Sequence, residues 1–285
     1  MNRRMRVFYY GVMGAIGGLI GWQASNLIGL SFTQNIYLSD LVIGGLIGLC
    51  VGFFIGATEG LLTLNLPRIL RAGGIAALLG LAAGAIGLPL GEFFFQIVGA
   101  GIIGRAFGWG IFGTLLGVAE GITGGGQIWK GALGGLLGGL LGGVLQEVAR
   151  LWLQDPLLGK AAGLVLLGAS VGALIALIVV LLSRAWLEVT SGKLRGTEFI
   201  LDKFIKKGGP TVILGSDALK ADIAFPDPDV SPQHAILSGT GSHFTIKDMS
   251  ASGTYVDGRR VEMTQLADRA AIRIGNTDLV YHEKR

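Results

Sequence analysis

LGSDALKADIAFPDPDVSPQHAILSGTGSHFTIKDMSASGTYVDG, residues 214–258, decides how this chain is read. Short alternating apolar runs (Ala221-Asp222-Ile223-Ala224-Phe225, His234-Ala235-Ile236-Leu237-Ser238, His243-Phe244-Thr245-Ile246-Lys247) are punctuated by Pro, Gly, Asp and Ser. Period-two alternation broken by turn residues predicts a small antiparallel all-β domain. Asp257-Gly258 predicts a tight hairpin, because a type I′ turn needs positive φ at both central residues.

Working outward, the same stretch resembles the forkhead-associated (FHA) domain. The resemblance is carried by Gly215, Asp222-Ile223, Val230-Ser231-x-x-His234-Ala235, Asp248 and Gly253-Thr254-Tyr255-Val256-Asp257-Gly258. Ser191-Gly192-x-Leu194-x-Gly196-x-Glu198-Phe199-x-Leu201 is similar to the family's first hairpin, and Ile272-x-Ile274-Gly275-Asn276-Thr277-x-Leu279 to its closing strands. The match covers residues 187–285. It implies an eleven-stranded β-sandwich whose loops at one end bind a phosphothreonine peptide, with Gly215, Ser216, Ser231, His234, Ser252, Gly253 and Thr254 as the partner-binding positions. By the same resemblance, Ser231 is the serine that touches phosphate and His234 the histidine that props the loop.

The chain departs from the family pattern where phosphate is gripped. The family's Gly-Arg is Gly215-Ser216 here, Pro232 stands where an arginine often follows the serine, and Ser252 matches the asparagine that holds the peptide backbone, in a loop one residue shorter. Phosphate recognition favours a planar bidentate guanidinium, and each lost charge-assisted bond costs about 1.5–3 kcal/mol. Lys220, Lys206 and Lys207 are the candidate replacement cations, as point charges without the fork. Binding that depends on phosphothreonine and docking of an unphosphorylated partner both remain open at this stage.

The rest of the chain is of another kind. Of 285 residues, 51% are hydrophobic and 15% charged, with 50 glycines, a composition far from the soluble average. Residues 1–186 hold 40 of the glycines with 10 basic and 6 acidic residues, and residues 187–285 hold 13 of each charge. The net charge of +4 therefore belongs to the first part, where basic residues at helix ends fit lipid headgroups rather than nucleic acid. Six apolar segments, near 7–25, 41–63, 73–96, 102–122, 128–149 and 161–183, reach the length that crosses a bilayer. The expected division is thus 1–186, a six-helix transmembrane domain, and 187–285, a β-sandwich. No cleavable leader is evident after Arg6, and the lone Cys50 inside an apolar segment reads as a small buried hydrophobe.

Arg3, Arg4, Arg6, Arg68, Arg71, Lys130, Arg184, Lys193 and Arg195 fall on one side of a six-span arrangement, which the positive-inside rule makes cytoplasmic. Both termini are then expected in the cytoplasm and the protein in the inner (plasma) membrane. Glycines recur every fourth residue in the second segment (Gly44, Gly48, Gly52, Gly56, Gly60) and in two rows of the fifth (Gly131, Gly135, Gly139, Gly143 and Gly134, Gly138, Gly142), which predicts close helix contacts within the chain or with further copies of it. Gly52-x-x-x-Gly56-x-x-Glu59-Gly60 recurs as Gly113-x-x-x-Gly117-x-x-Glu120-Gly121, suggesting a duplicated helical hairpin.

Glu59, Glu92, Arg105, Glu120 and Glu147 form the candidate intramembrane polar set, read either as a proton or cation path or as charges neutralised by Arg68, Arg105, Lys130 and Arg150 near helix ends. Gly124-Gly125-Gly126 with Lys130 lacks the Gly-Lys-Ser/Thr ending of a phosphate loop, and no His, Cys or acid cluster has metal-ligand spacing. No nucleophile and base constellation is visible, so an enzyme is not expected, and neither cofactor nor metal is implied. The expected partners are a cytosolic protein, such as a Ser/Thr kinase or its substrate, membrane lipid and further copies of the chain. The function expected is that of a membrane-tethered adaptor or scaffold, with a small channel or transporter regulated by the β-domain as the alternative.

Overall fold

In the computed structural model, residues 3–28, 35–62, 65–98, 101–124 and 126–284 are described. They form two compact units, one running from Arg4–Leu181 and the other containing Leu182–Arg285.

The first unit is six helices: α1 Arg3–Ile28, α2 Ile36–Leu62, α3 Leu66–Val98, α4 Gly101–Thr123, α5 Ile128–Leu153 and α6 Pro156–Leu181. Long apolar runs bond their own backbone, the requirement for crossing lipid. Their starts are set by side chains that take up free N–H groups. Asn35 Oδ1 accepts from Tyr37 N at 3.1 Å, Asn65 Oδ1 from Arg68 N at 3.0 Å, and Asp155 Oδ1 from Leu157 N and Leu158 N at 2.8 Å. Helices α2 to α6 are long and apolar enough to cross a membrane. Helix α1, expected as the first span, is not among these five, because Tyr9, Tyr10, Trp22, Gln23 and its glycines dilute the run. It nevertheless packs within the bundle: Cβ atoms added at Gly14 and Gly168 would each lie 2.0 Å from the other residue's carbonyl oxygen.

The glycine rows are where the helices meet. A Cβ on Gly84 would sit 1.8 Å from Gly44 O, and one on Gly48 2.0 Å from Gly80 O, so the α2 row faces α3. In α5 one row faces α4, with Gly117 to Gly131 O at 1.9 Å, and the other faces α6, with Gly138 to Val171 Cα at 2.6 Å. The rows that suggested contact with further copies are thus occupied inside one chain. The repeat pairs also correspond, since Gly60 abuts Ile69 of α3 as Gly121 abuts Ile128 of α5. Outward positions such as Phe8, Leu78, Ile97 and Ile103 are exposed and apolar, as a lipid-facing shell would be.

The second unit is an eleven-stranded sandwich. Its strands are β1 Ala185–Val189, β2 Glu198–Ile200, β3 Val212–Gly215, β4 Ile223–Ala224, β5 Ala235–Gly239, β6 Phe244–Asp248, β7 Thr254–Val256, β8 Arg259–Val261, β9 Met263–Gln265, β10 Ala271–Ile274 and β11 Thr277–Glu283. One sheet has the order β2-β1-β11-β10-β7-β8 and the other β4-β3-β5-β6-β9. Alternation places Leu187, Leu214, Leu237, Ile246, Ile274 and Leu279 in a common core at zero exposure. The β7–β8 hairpin turns on Asp257 and Gly258 with φ of 49° and 78°, the positive pair that the dipeptide predicts.

Candidate functional site

Three loops gather at one end of the sandwich because β3 ends, and β5 and β7 begin, at the same level. Gly215 closes β3 with its hydrogen atoms where a side chain would collide: a Cβ there would stand 2.1 Å from Pro232 O. This permits the next step, in which Ser216 N donates to Ser231 O at 3.0 Å and ties the first loop to the second.

His234 ties the second loop to the third. It is fully buried, and its Nδ1 accepts from Ser231 N at 3.1 Å. The proton consequently resides on Nε2, which faces Gly253 O at 3.3 Å and Ser250 Oγ at 3.2 Å. Asp248 shapes the third loop from beneath, accepting from Ser250 N at 3.1 Å and from Ser250 Oγ and Thr254 Oγ1 at 2.8 Å each. Burial opposes the Asp248 charge, but the N–H and hydroxyl of Ser250 and the hydroxyl of Thr254 outweigh it and hold the carboxyl below its ordinary range. Gly253 takes φ of 89°, a value that favours glycine.

The seven expected partner-binding positions therefore divide by role. Gly215, His234, Gly253 and the buried Thr254 build the loops, whereas the side chains of Ser216, Ser231 and Ser252 are at least partly accessible. Among the described residues, the Ser231 hydroxyl forms no hydrogen bond. Beside these loops, Asp227 fastens the β4–β5 connection to the β10–β11 turn, accepting from Asn276 N at 2.9 Å and Thr277 Oγ1 at 2.8 Å, and Asn276 also donates to Asp229. Burial again opposes the Asp227 charge, and hydrogen bonds from Asp229 N, Thr277 and Asn276 N bring its carboxyl below the usual range. A cavity of about 200 Å³ opens against this clamp, lined by Lys193, Leu194, Phe225 and Pro228 among others.

The candidate replacement cations fare differently. Lys206 and Lys207 precede β3 and lie beside the β5–β6 turn, where Gly241 N donates to Ile205 O. That turn is at the far end of β5 from His234, which removes both lysines from the phosphate position. Lys220 stays near the first loop with its Nζ 3.8 Å from Asp217. The sequence reading did not single out Arg260. It sits opposite Tyr255 across the β7–β8 hairpin, and its Nη2 donates to Ala251 O at 3.3 Å in the third loop.

Within the helical unit, the candidate polar set separates into groups at the two ends. At the end where α1 begins, Glu59 is paired with Arg6 and Arg68, and the Tyr10 hydroxyl lies 3.0 Å from Glu120 and 3.5 Å from Glu59. The two glutamates of the repeat thus converge on one tyrosine of α1. Lys130 is buried at this end as well. At the other end, Glu147 is paired with Arg105 at 3.1 Å and with Arg150. Glu92 stands apart from both groups, accepting from Gln96 Nε2 at 3.1 Å. The links of Arg6 and Tyr10 to these glutamates escaped the sequence reading because the partners lie 49 to 110 positions apart.

Two sheets packed over one core, with a serine, a buried loop-bridging histidine and three converging loops, define a recognition sandwich of the FHA type. The FHA domain family model matches residues 212–275, and the chain carries an FHA domain. Solved structures similar to it include the FHA domain of the CT664 protein from Chlamydia trachomatis, 31% identical over 36% of this chain and 100% of that one, with a TM-score of 0.33. An FHA domain described for phosphothreonine-dependent interactions is 25% identical over 36% of this chain and 98% of that one, with a TM-score of 0.31. The FhaA FHA domain, complexed with the intracellular domain of Rv3910, is 26% identical over 34% of this chain and 99% of that one, with a TM-score of 0.30. No curated protein matches the chain.

Proposed function

We propose that this chain is a membrane-anchored adaptor whose FHA domain recruits a cytosolic protein to the inner membrane through the loops at 215–217, 231–234 and 251–254. The observation that carries the reading is the His234 bridge. A fully buried imidazole fixes Ser231 against the Ser250 and Gly253 loop, so the partner meets a preformed surface and little ordering free energy is lost on binding. Five helices of membrane-crossing length hold that surface at a bilayer, where confinement raises the local concentration of whatever it captures.

The ends of the bundle support an orientation. Arg6, Arg68 and Lys130 gather where α1 begins, and α6 finishes at that end too, since Gly126 packs against Val179. The positive-inside rule then supports a cytoplasmic position for both termini. The channel alternative draws less support, because Glu59 and Glu147 are each neutralised by two arginines.

The test incubates the full chain in lipid nanodiscs with matched phosphothreonine and unmodified peptide libraries. Enrichment that Ser231→Ala reduces supports the reading, and no enrichment from either library contradicts it. A cysteine introduced at residue 26 or 39, flanking residues 29–34 that lie outside the described ones, should react from outside the cell; protection at both would contradict the orientation.

A further inference from the structure

The recognition loops have a partly accessible serine and a bridging histidine but no arginine at 216, and the neighbouring lysine faces an aspartate. We infer that Arg260 supplies the missing guanidinium and grips the phosphate of a phosphothreonine segment bound across the three loops, an inference that rests on those loops being the capture surface.

Position is the first ground. If Gly253 carried a Cβ, that atom would lie 2.5 Å from Arg260 Nε and 3.0 Å from its Cζ, so the guanidinium occupies the space that the glycine leaves open. Its Nη2 bonds Ala251 O, and one imidazole ring away the same loop meets Ser231. The guanidinium is held against the recognition loop by the shortest link the hairpin allows, since Arg260 is paired directly with Tyr255, two residues past Gly253.

Vacancy is the second ground. Arg260 is exposed, and its bond to Ala251 O uses one of five donors. Among the described residues, no carboxylate is within ion-pair distance of it. Register places Arg273 on the other side of Tyr255, on the same outer face, with Asp278 beyond it. Arg260 thus lies on an exposed strand face with a second arginine two strands away. A planar fork of this kind matches a phosphate with two parallel bonds, which a lysine cannot do. Together with the Ser231 hydroxyl, it provides donors from two sides of the surface.

The experiment uses the full chain in nanodiscs. The phosphothreonine peptide most enriched from the library is titrated by fluorescence anisotropy against wild type, Arg260→Ala, Arg260→Lys, Ser231→Ala and the double variant Arg260→Ala with Ser216→Arg. Arg260→Ala is expected to weaken phosphopeptide binding about tenfold or more, as loss of a charge-assisted bond does. Arg260→Lys should recover part of the affinity and Ser216→Arg most of it. Unaltered melting of Arg260→Ala excludes an effect through folding. Phosphopeptide affinity equal to wild type in Arg260→Ala overturns the assignment, and if Ser231→Ala still weakens binding the adaptor reading survives that failure. Capture of unmodified peptides alone, sensitive to Ser231→Ala, likewise removes the role of Arg260 and leaves the adaptor; no capture of either removes both.

Discussion

Replacing His234 by alanine tests whether the recognition surface is built by one ring. In the folded domain Nδ1 accepts from Ser231 N at 3.1 Å, and Nε2 reaches Gly253 O and Ser250 Oγ at 3.3 and 3.2 Å. Alanine removes two bonding directions, each contributing roughly 1 kcal/mol net, and leaves the Ser231 N–H without its acceptor at a further cost of about 1–3 kcal/mol. A total of about 3–5 kcal/mol lowers the melting temperature of a domain this size by roughly 12–40 °C, at about 4–8 °C for each kcal/mol. The core is assembled entirely from residues between Ala185 and Tyr281, so residues 182–285 provide the sample, melted by circular dichroism with and without the substitution. A midpoint shift below roughly 4 °C, less than 1 kcal/mol, would refute the bridge as the device that fixes the loops.

Three other outcomes follow from the same geometry. Gly84→Ala places a methyl 1.8 Å from Gly44 O and should destabilise the detergent-solubilised bundle by about 1–3 kcal/mol, whereas Gly74→Ala, with nothing within 4 Å, should be neutral or stabilising in the same thermal assay. Tyr10→Phe keeps the ring and deletes the hydroxyl that joins Glu120 to Glu59, which should cost roughly 0.6–1.7 kcal/mol of bundle stability, read as the midpoint of denaturant unfolding in detergent. Asp227 and Asp248 have folded-state pKa values below their unfolded ones, so their contribution is present above about pH 4 and is lost as pH falls through the folded values. Melting of residues 182–285 should therefore drop on acidification below about pH 4, and less so in Asp227→Asn, compared with wild type by calorimetry across pH.

Much of the architecture is visible in local pattern, because local pattern is what the backbone obeys. Alternation in 221–247 and the Asp257-Gly258 pair specify strands and a turn from neighbouring residues alone, and both recur in the structure. Glycines spaced by four mark the faces along which helices approach, but spacing does not say which helix arrives. The two rows of α5 turned out to serve α4 and α6. Charges were harder to place. Glu59 and Arg68 are close in sequence, so their pairing was legible, while Arg6 reaches Glu59 only because α1 folds back against α2. Lys206 and Lys207 were considered as phosphate cations on charge alone, and the direction of β3 puts them at the opposite end. Arg260 carries no local signal, since only the fold brings its guanidinium against Gly253. The first segment was long enough for a span, yet its tyrosines, glutamine and glycines leave α1 outside the five helices that meet the length and hydropathy of one.

The most direct test of the whole account places a photo-crosslinking amino acid at Ser252, on the loops, or at Lys207, by the far turn, in the full chain within living cells. Capture of a cytosolic protein from Ser252, lost on adding Ser231→Ala and not reproduced from Lys207, is the predicted result. Equal capture from both positions, or capture from Lys207 alone, would contradict recruitment through this end of the sandwich.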